Sequence, residues 1–188
     1  MKKIIFNDRY DLTKAVIEGR KTMTRRIVPT KTRLRRALAV IHDEPHGSEQ
    51  EEYLKSAYYK VGEIVAVAQN YSSFYNILDN TRPIPEGAGW DNKMFVRADL
   101  MPHQIRITGI KCERLQDISD KECLREGIRQ FTPNFPKNFP IHPTHFVVGD
   151  ILKDTPREAF ASLIDKVSGK GTWASNPWVV AYEFELVK

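Results

Sequence analysis

Along this chain the spacing of hydrophobic residues changes period several times, and each change marks the edge of an element. Lys3 to Phe6 reads as an opening strand, after which Leu12, Ala15 and Val16 recur at helical spacing within a short helix over Asp8 to Glu18. Gly19 closes that helix, because glycine takes the left-handed conformation after a last turn at little cost and throws the chain aside. Lys21 and Thr24 fall on the resulting turn, which runs into a strand through Ile27 and Val28. The turn matters for chemistry, since in a straight strand residues three apart point to opposite faces.

Residues 30 to 60 read as an insertion lying outside the core. It comprises a basic helical piece to Val40, a polar turn through Pro45 and Gly47, and Ser48-x-x-Glu51 opening a second short helix. Val61 to Ala68 is apolar on both faces, the pattern of a strand inside a closed or heavily covered sheet. Ser72 to Asn92 supplies a long loop carrying Phe74, Tyr75, Pro83, Pro85, Gly87, Gly89 and Trp90. A strand pair fits Met94 to Ala98 and Gln104 to Leu115. In the latter the alternation Ile105, Ile107 jumps register to Ile110, Cys112 with Gly109 at the jump, as a β-bulge does.

Ser119 and Glu122 form a capping box, with Ile118 and Cys123 as its hydrophobic staple, for a short helix that ends at Gly127. Thr155-Pro156-Arg157-Glu158 opens another helix, with Phe160, Leu163, Ile164 and Val167 as its buried stripe up to Gly169. The chain finishes on a strand with Trp178, Val180, Tyr182, Phe184 and Leu186 on one face against Glu183 and Glu185 on the other. Short strands, a bulge and a few small helices predict an α+β fold: a β-barrel with short flanking helices. One domain is expected over residues 1–188, with insertions near 30–60, 72–92 and 129–150.

Composition narrows the class. The 188 residues are 41% hydrophobic, enough for one well-filled core. No apolar run approaches the roughly 20 residues that cross a bilayer. Met1-Lys2-Lys3 leads straight into a strand rather than a signal peptide, so a cytoplasmic location is expected. Cys112 and Cys123 lack metal-type Cys-x-x-Cys spacing and are expected to be reduced. His142 and His145 sit at i, i+3, but prolines at 133, 136, 140 and 143 forbid a regular helix there, and neither a metal nor another cofactor is expected.

Charge changes the picture further. The chain carries a net +5, yet Arg20, Lys21, Arg25, Arg26, Lys31, Arg33, Arg35 and Arg36 follow one another without an intervening Asp or Glu. A one-signed field of this kind concentrates phosphates and releases counterions from a nucleic-acid backbone, although such runs also serve simply as solvated faces. Within it, Gly19 to Arg26 brings together an amine, hydroxyls and guanidinium groups. A threonine hydroxyl is inert near neutrality until a base takes its proton, and a desolvated lysine among other cations can act as that base. A carboxylate would orient the amine or carry a proton, while by its charge also raising the lysine pKa.

Four blocks together resemble the ASCH domain family of the PUA-like superfamily, most closely its phage and prophage-type members. They are Gly19-x-Lys21-x-x-Thr24-x-Arg26 after a short helix, the Gly62-Glu63 strand start, Arg114-Leu115-Gln116-Asp117-Ile118-Ser119 leading to Glu126-Gly127-Ile128, and Asn176-Pro177-Trp178 entering the last strand. The resemblance covers most of the chain outside the three insertions. It implies a β-barrel related to RNA-binding PUA domains, with a cleft for RNA or modified nucleosides. Some small bacterial members are amidohydrolases that remove the acetyl group from N(4)-acetylcytidine with a lysine, a threonine and a glutamate, and Lys21, Thr24 and Glu126 stand at those positions here. Many relatives carry an Arg-Glu pair where this chain has Ala68-Gln69, a departure that leaves the substrate open.

Two readings follow. In the first, Thr24 is the nucleophile of an amidohydrolase acting on an acylated base or nucleoside, Lys21 its base and Glu126 the proton partner, with Arg25 or Arg26 holding an oxyanion or anionic group. In the second, the protein is a non-catalytic RNA-binding module. There Arg20, Arg25, Arg26, Arg33, Arg35 and Arg36 contact phosphates, Gln69 lines the cleft, and Tyr71, Phe74, Tyr75 or Trp90 stack on bases. An RNA-cleaving role is a third. The ordinary alternatives are a phosphate-contacting Lys21, a buried strand Thr24 and an exposed helical Glu126.

Overall fold

A computed structural model describes residues 1–42, 47–75, 87–133 and 144–187 of the chain. Its architecture is mixed α+β. Five strands, β1 (Lys2–Ile4), β2 (Met23–Ile27), β3 (Ile64–Val67), β4 (Gln104–Arg114) and β8 (Trp178–Leu186), make one sheet in the order β1-β3-β4-β8-β2. Only the β1–β3 pair is parallel; the rest are antiparallel. Against β8, strand β4 shifts register between Ile107 and Gly109, the bulge the sequence predicts. The extra residue keeps Ile105, Ile107 and Cys112 all turned to the core despite the jump in alternation.

The unbroken apolar run through β3 has a direct cause. Val65 and Val67 enter the main core, while Ala66, followed by Ala68, packs on the other side with Tyr71, Val96 and Met101. Both faces are therefore covered without a barrel having closed around them. Among the described residues the sheet ends at β1 and β2, which do not pair with each other. At that seam Arg26 Nη2 donates to the Ile5 carbonyl at 2.6 Å, so a side chain takes a position that a strand partner would fill in a closed barrel.

Three antiparallel strands in the order β5-β6-β7, namely β5 (Arg129–Phe131), β6 (His145–Val148) and β7 (Ile151–Lys153), form a second sheet, with β5 and β6 in the region read only as an insertion and β7 directly after it. The helices are α1 (Leu12–Ile17), α2 (Thr30–Ile41), α3 (Glu49–Lys55), α4 (Asp120–Arg125), α5 (Pro156–Ser168) and α6 (Thr172–Ser175). The capping boxes at Ser48/Glu51 and Ser119/Glu122 form as the sequence predicts.

Three expectations are corrected. Met94 to Ala98 is not a strand: Lys93–Phe95 and Ala98–Leu100 are single 3-10 turns, and β4 pairs with β3 instead. The backbone there is held by Lys3 Nζ, which donates to the Met94 and Val96 carbonyls at 2.7 Å each. Residues 30–60 do not lie wholly outside the core, because Tyr53, Ala57 and Tyr59 are buried in it while α2 buries nothing. The stripe of α5 is rotated as well: Phe160 and Leu163 are buried with Pro156 and Ala159, whereas Ile164 and Val167 face a cavity.

Pro45, Pro83, Pro85, Pro136, Pro140, His142 and Pro143 lie outside the described residues. Both cysteines are free and buried, and burial pushes their thiols up, Cys112 to about 11 and Cys123 to about 12. Among the described residues no helix is long and apolar enough to cross a membrane.

Candidate active site

The turn after α1 is set by its own backbone. Arg20 and Lys21 both donate their amides to the Ala15 carbonyl at 2.8 Å, and Gly19 adopts a φ of 70° to allow it. Thr22 N then bonds the Arg125 carbonyl at 2.9 Å, tying this turn to the end of α4. On the α4 side Gly127, with a φ of 104°, brings the backbone against Leu12, Ala15 and Lys21. Glu126 sits between these two fixed ends and is directed at Lys21.

Contact follows. Lys21 Nζ donates to Glu126 Oε2 at 2.6 Å and to the Glu126 carbonyl at 2.7 Å, across 105 positions of sequence. Lys21 is 2% exposed and Glu126 3%. The other carboxylate oxygen, Oε1, accepts from Arg25 Nη1 at 3.0 Å. Arg25 in turn gives Nε to Glu113 Oε1 at 2.9 Å, and its Nη2 lies 2.7 Å from Glu113 Oε1 and 3.2 Å from Glu122 Oε2. Those Nη2 approaches fall outside hydrogen-bond angles, so Nη2 is charge-paired without a directed bond. Lys111 closes the network, pairing with Glu113 Oε2 at 2.9 Å and with Glu122.

The electrostatics divide the cations into two kinds. Burial lowers the Lys21 pKa from its ordinary value, with Arg26 and Arg25 adding to that effect and Glu126 opposing it without prevailing. Arg25 is pulled down by burial too, but Glu126, Glu113 and Glu122 more than offset it and the guanidinium is held more firmly charged. For Glu122, burial raises the pKa, yet bonds from Lys111 and the Ser119 amide, with Arg25 near, carry it to about 2. A buried amine biased toward neutrality therefore stands next to a carboxylate whose charge Arg25 balances.

Lys21, Thr24, Arg25, Arg26 and Glu126 line one cavity of about 570 Å³. Its apolar lining comes from Phe160, Leu163, Ile164 and Val167 of α5 with Leu12 and Phe6. Thr24 is the second residue of β2, opposite Tyr182, and 5% exposed. At the seam between β1 and β2, Ile5, Arg26 and Ile27 line both this cavity and a neighbouring one of about 330 Å³ walled by Tyr58, Tyr59 and Tyr182.

The remaining residues singled out by sequence scatter. The Arg25 side chain is 1% exposed and its charge is paired with three carboxylates, Glu113, Glu122 and Glu126, so of the two arginines the exposed Arg26 is the one left for a substrate anion. Arg20 pairs with Glu18 at 2.6 Å, away from both cavities. Arg33, Arg35 and Arg36 lie on α2, where Arg33 Nη2 donates to Thr30 Oγ1 at 3.2 Å. Gln69 Oε1 meets His103 Nδ1 at 2.7 Å and lines a different cavity of about 430 Å³ with Thr13, Asn70 and Ser73. Tyr71 cannot stack on a base in this conformation: it is buried, its hydroxyl accepts from the Arg97 amide at 2.8 Å, and its ring abuts Gly89. Phe74, Tyr75 and Trp90 are partly buried around it.

Glu113 and Lys111, and the charge-pairing role of Glu122, do not stand out in the sequence. Lys111 and Glu113 stand two apart on β4 and so share a face, opposite to that of buried Cys112, which was the available signal. Glu122, a cap residue by its sequence position, serves the cap and the network at once.

No family model matches the chain, and no curated protein matches it. Among solved structures, the crystal structure of protein EF3133 from Enterococcus faecalis V583, described with the family model DUF984, is similar over 100% of this chain and 77% of that one, at 13% identity and a TM-score of 0.39.

Proposed function

We propose that the protein is an amidohydrolase that removes an acyl group from the exocyclic amine of a pyrimidine nucleoside, on a PUA-like, ASCH-type scaffold whose barrel is left open at the β1–β2 seam. The observation that carries this reading is the Lys21–Glu126 contact at 2.6 Å, buried in the wall of the cavity that also takes in Thr24. A lysine with a lowered pKa is the form that can remove a hydroxyl proton.

In the proposed reaction Thr24 Oγ attacks the acyl carbonyl and its proton passes to Lys21 Nζ. Collapse of the tetrahedral intermediate breaks the carbon–nitrogen bond, and the departing amine takes the proton back from Lys21. Water then cleaves the threonyl ester with Lys21 again as base, which releases the carboxylic acid and restores the hydroxyl. Glu126 holds the amine in place throughout, and the exposed Arg26 in the cavity lining supplies positive charge for the oxyanion or for a phosphate on the substrate.

The test is a panel of N(4)-acylated cytosines, cytidines and cytidine phosphates offered to the purified protein. Turnover of at least one is expected, with Thr24→Val and Lys21→Ala each reducing it by 100-fold or more, on the order of the contributions of a nucleophile or base. Undiminished activity in Thr24→Val, or a wild-type protein that turns over nothing in the panel, rejects the proposal.

A further inference from the structure

Helix α2 presents its apolar residues to the wrong side for folding. Leu34, Ala37, Leu38 and Ile41 follow one another at i, i+3, i+4 and i+7, which places them in one stripe along the helix. In an ordinary surface helix that stripe would be packed on the body of the protein. Here Leu34 is 58% exposed, Leu38 46% and Ile41 73%. The partly buried positions are instead Thr32, Arg36 and Ala39, on the opposite side of the helix, with Arg36 Nε buried and unpartnered beneath it. The helix thus rests on its polar side and turns its apolar seam outward.

Charge frames the seam. Lys31 and Arg35 border it along one side and Arg33 along the other, all three exposed, and the chain from Arg20 to His42 contains no Asp or Glu to neutralise them. We propose that this outer face of α2 docks an amphipathic protein helix whose own apolar seam is flanked by acidic residues. The spacing is that of a helix-to-helix seam, and the flanking cations are placed where a partner's carboxylates would meet them. A second copy of this chain would bring Lys31, Arg33 and Arg35 against their own images, which like-charge repulsion opposes. A nucleic-acid backbone would have to set its phosphates over the leucines. An interfacial membrane helix would be expected to carry an aromatic anchor on this stripe, and α2 has none. This inference is independent of the cavity chemistry.

The test uses the full chain and a fluorescein-labelled peptide of three heptads with leucine at a and d and glutamate at e and g. Anisotropy should show binding to the glutamate peptide at least tenfold tighter than to the same peptide with lysine at e and g. The triple substitution Leu34→Gln, Leu38→Gln, Ile41→Gln should weaken it tenfold or more with an unchanged thermal melt. The triple substitution Lys31→Glu, Arg33→Glu, Arg35→Glu should invert the preference between the two peptides. Failure to bind the glutamate peptide, equal binding of both peptides, or binding unchanged by the apolar triple substitution overturns the proposal. So do three other outcomes without peptide binding, each abolished by the apolar substitutions: co-sedimentation with phosphatidylserine/phosphatidylcholine vesicles, association with an RNA oligonucleotide, or a dimer in sedimentation.

Discussion

At Lys21 burial and the charges of Arg26 and Arg25 favour the neutral amine, while Glu126 alone favours the cation. Arg25 acts twice in this balance, as a nearby positive charge and as the partner of Glu126 Oε1 that holds part of the carboxylate's charge away from the lysine. Arg25→Gln should therefore raise the Lys21 pKa. Single-turnover hydrolysis, rising with pH as the amine loses its proton, should have its ascending limb below the ordinary lysine value of 10.5 in the wild type and shifted to higher pH in the variant. A limb that stays in place or moves down would show that Arg25 has no such role. Lys21, Thr24 and Glu126 stood out in the sequence through the family resemblance, and Gly19 and Gly127 mark the turns next to Lys21 and Glu126, whereas Thr24 lies within strand β2 rather than on the turn. The true position of Arg25 was not legible, because nothing in a basic run distinguishes a guanidinium that meets solvent from one that the fold surrounds with three carboxylates.

The elements that hold the site are short, so their ends matter more than their lengths. Gly127 follows Glu126 with a φ of 104°, and a Cβ there would stand 3.2 Å from Leu12 Cδ2 and 3.6 Å from Lys21 Cβ. Gly171 has a φ of 86° with nothing within 4 Å. Alanine at either position strains the backbone, at ~1 to 3 kcal/mol. Only Gly127→Ala also displaces the lysine and its carboxylate. Urea denaturation should thus show both variants destabilised, while hydrolysis falls in Gly127→Ala and persists in Gly171→Ala; equal activities would detach the α4 turn from the site. The bulge at Gly109 and the two capping boxes could be read in advance because local spacing specifies them. The second sheet could not: Arg129, Gln130 and Phe131 are all exposed, so β5 carries no alternation to detect, and its partner β6 follows only after residue 144. The placement of α3 escaped for the same reason, since Tyr53 anchors it in a core built from distant strands.

Across the whole molecule, the network of Lys21, Glu126, Arg25, Glu113, Glu122 and Lys111 joins the turn before β2, strand β2 itself, strand β4 and helix α4, and so ties separate parts of the chain through charge. The open seam of the sheet makes this consequential, because among the described residues β2 is an edge strand paired with β8 alone. The network also gives stability a definite pH dependence. Glu122 titrates at about 2 in the fold against an ordinary 4.5, so the unfolded chain binds its proton more readily and the stabilisation is fully present above 4.5. It is lost as pH falls from 4.5 through about 2, and the difference is worth up to ~3 kcal/mol. Lys21 works at the other end: its lowered folded pKa means that the unfolded chain binds more protons up to 10.5, so its contribution rises with pH between the folded value and 10.5. Glu122→Gln keeps an amide able to cap Ser119 but removes the titrating charge. Thermal melts should place this variant well below the wild type at pH 7, with the gap shrinking as pH falls below 4.5 and nearly closing toward 2. A gap that stays constant from pH 7 to pH 2.5 would mean that the Glu122 side chain stabilises through its shape and its cap, and that the charge network contributes nothing measurable to holding β2 against α4.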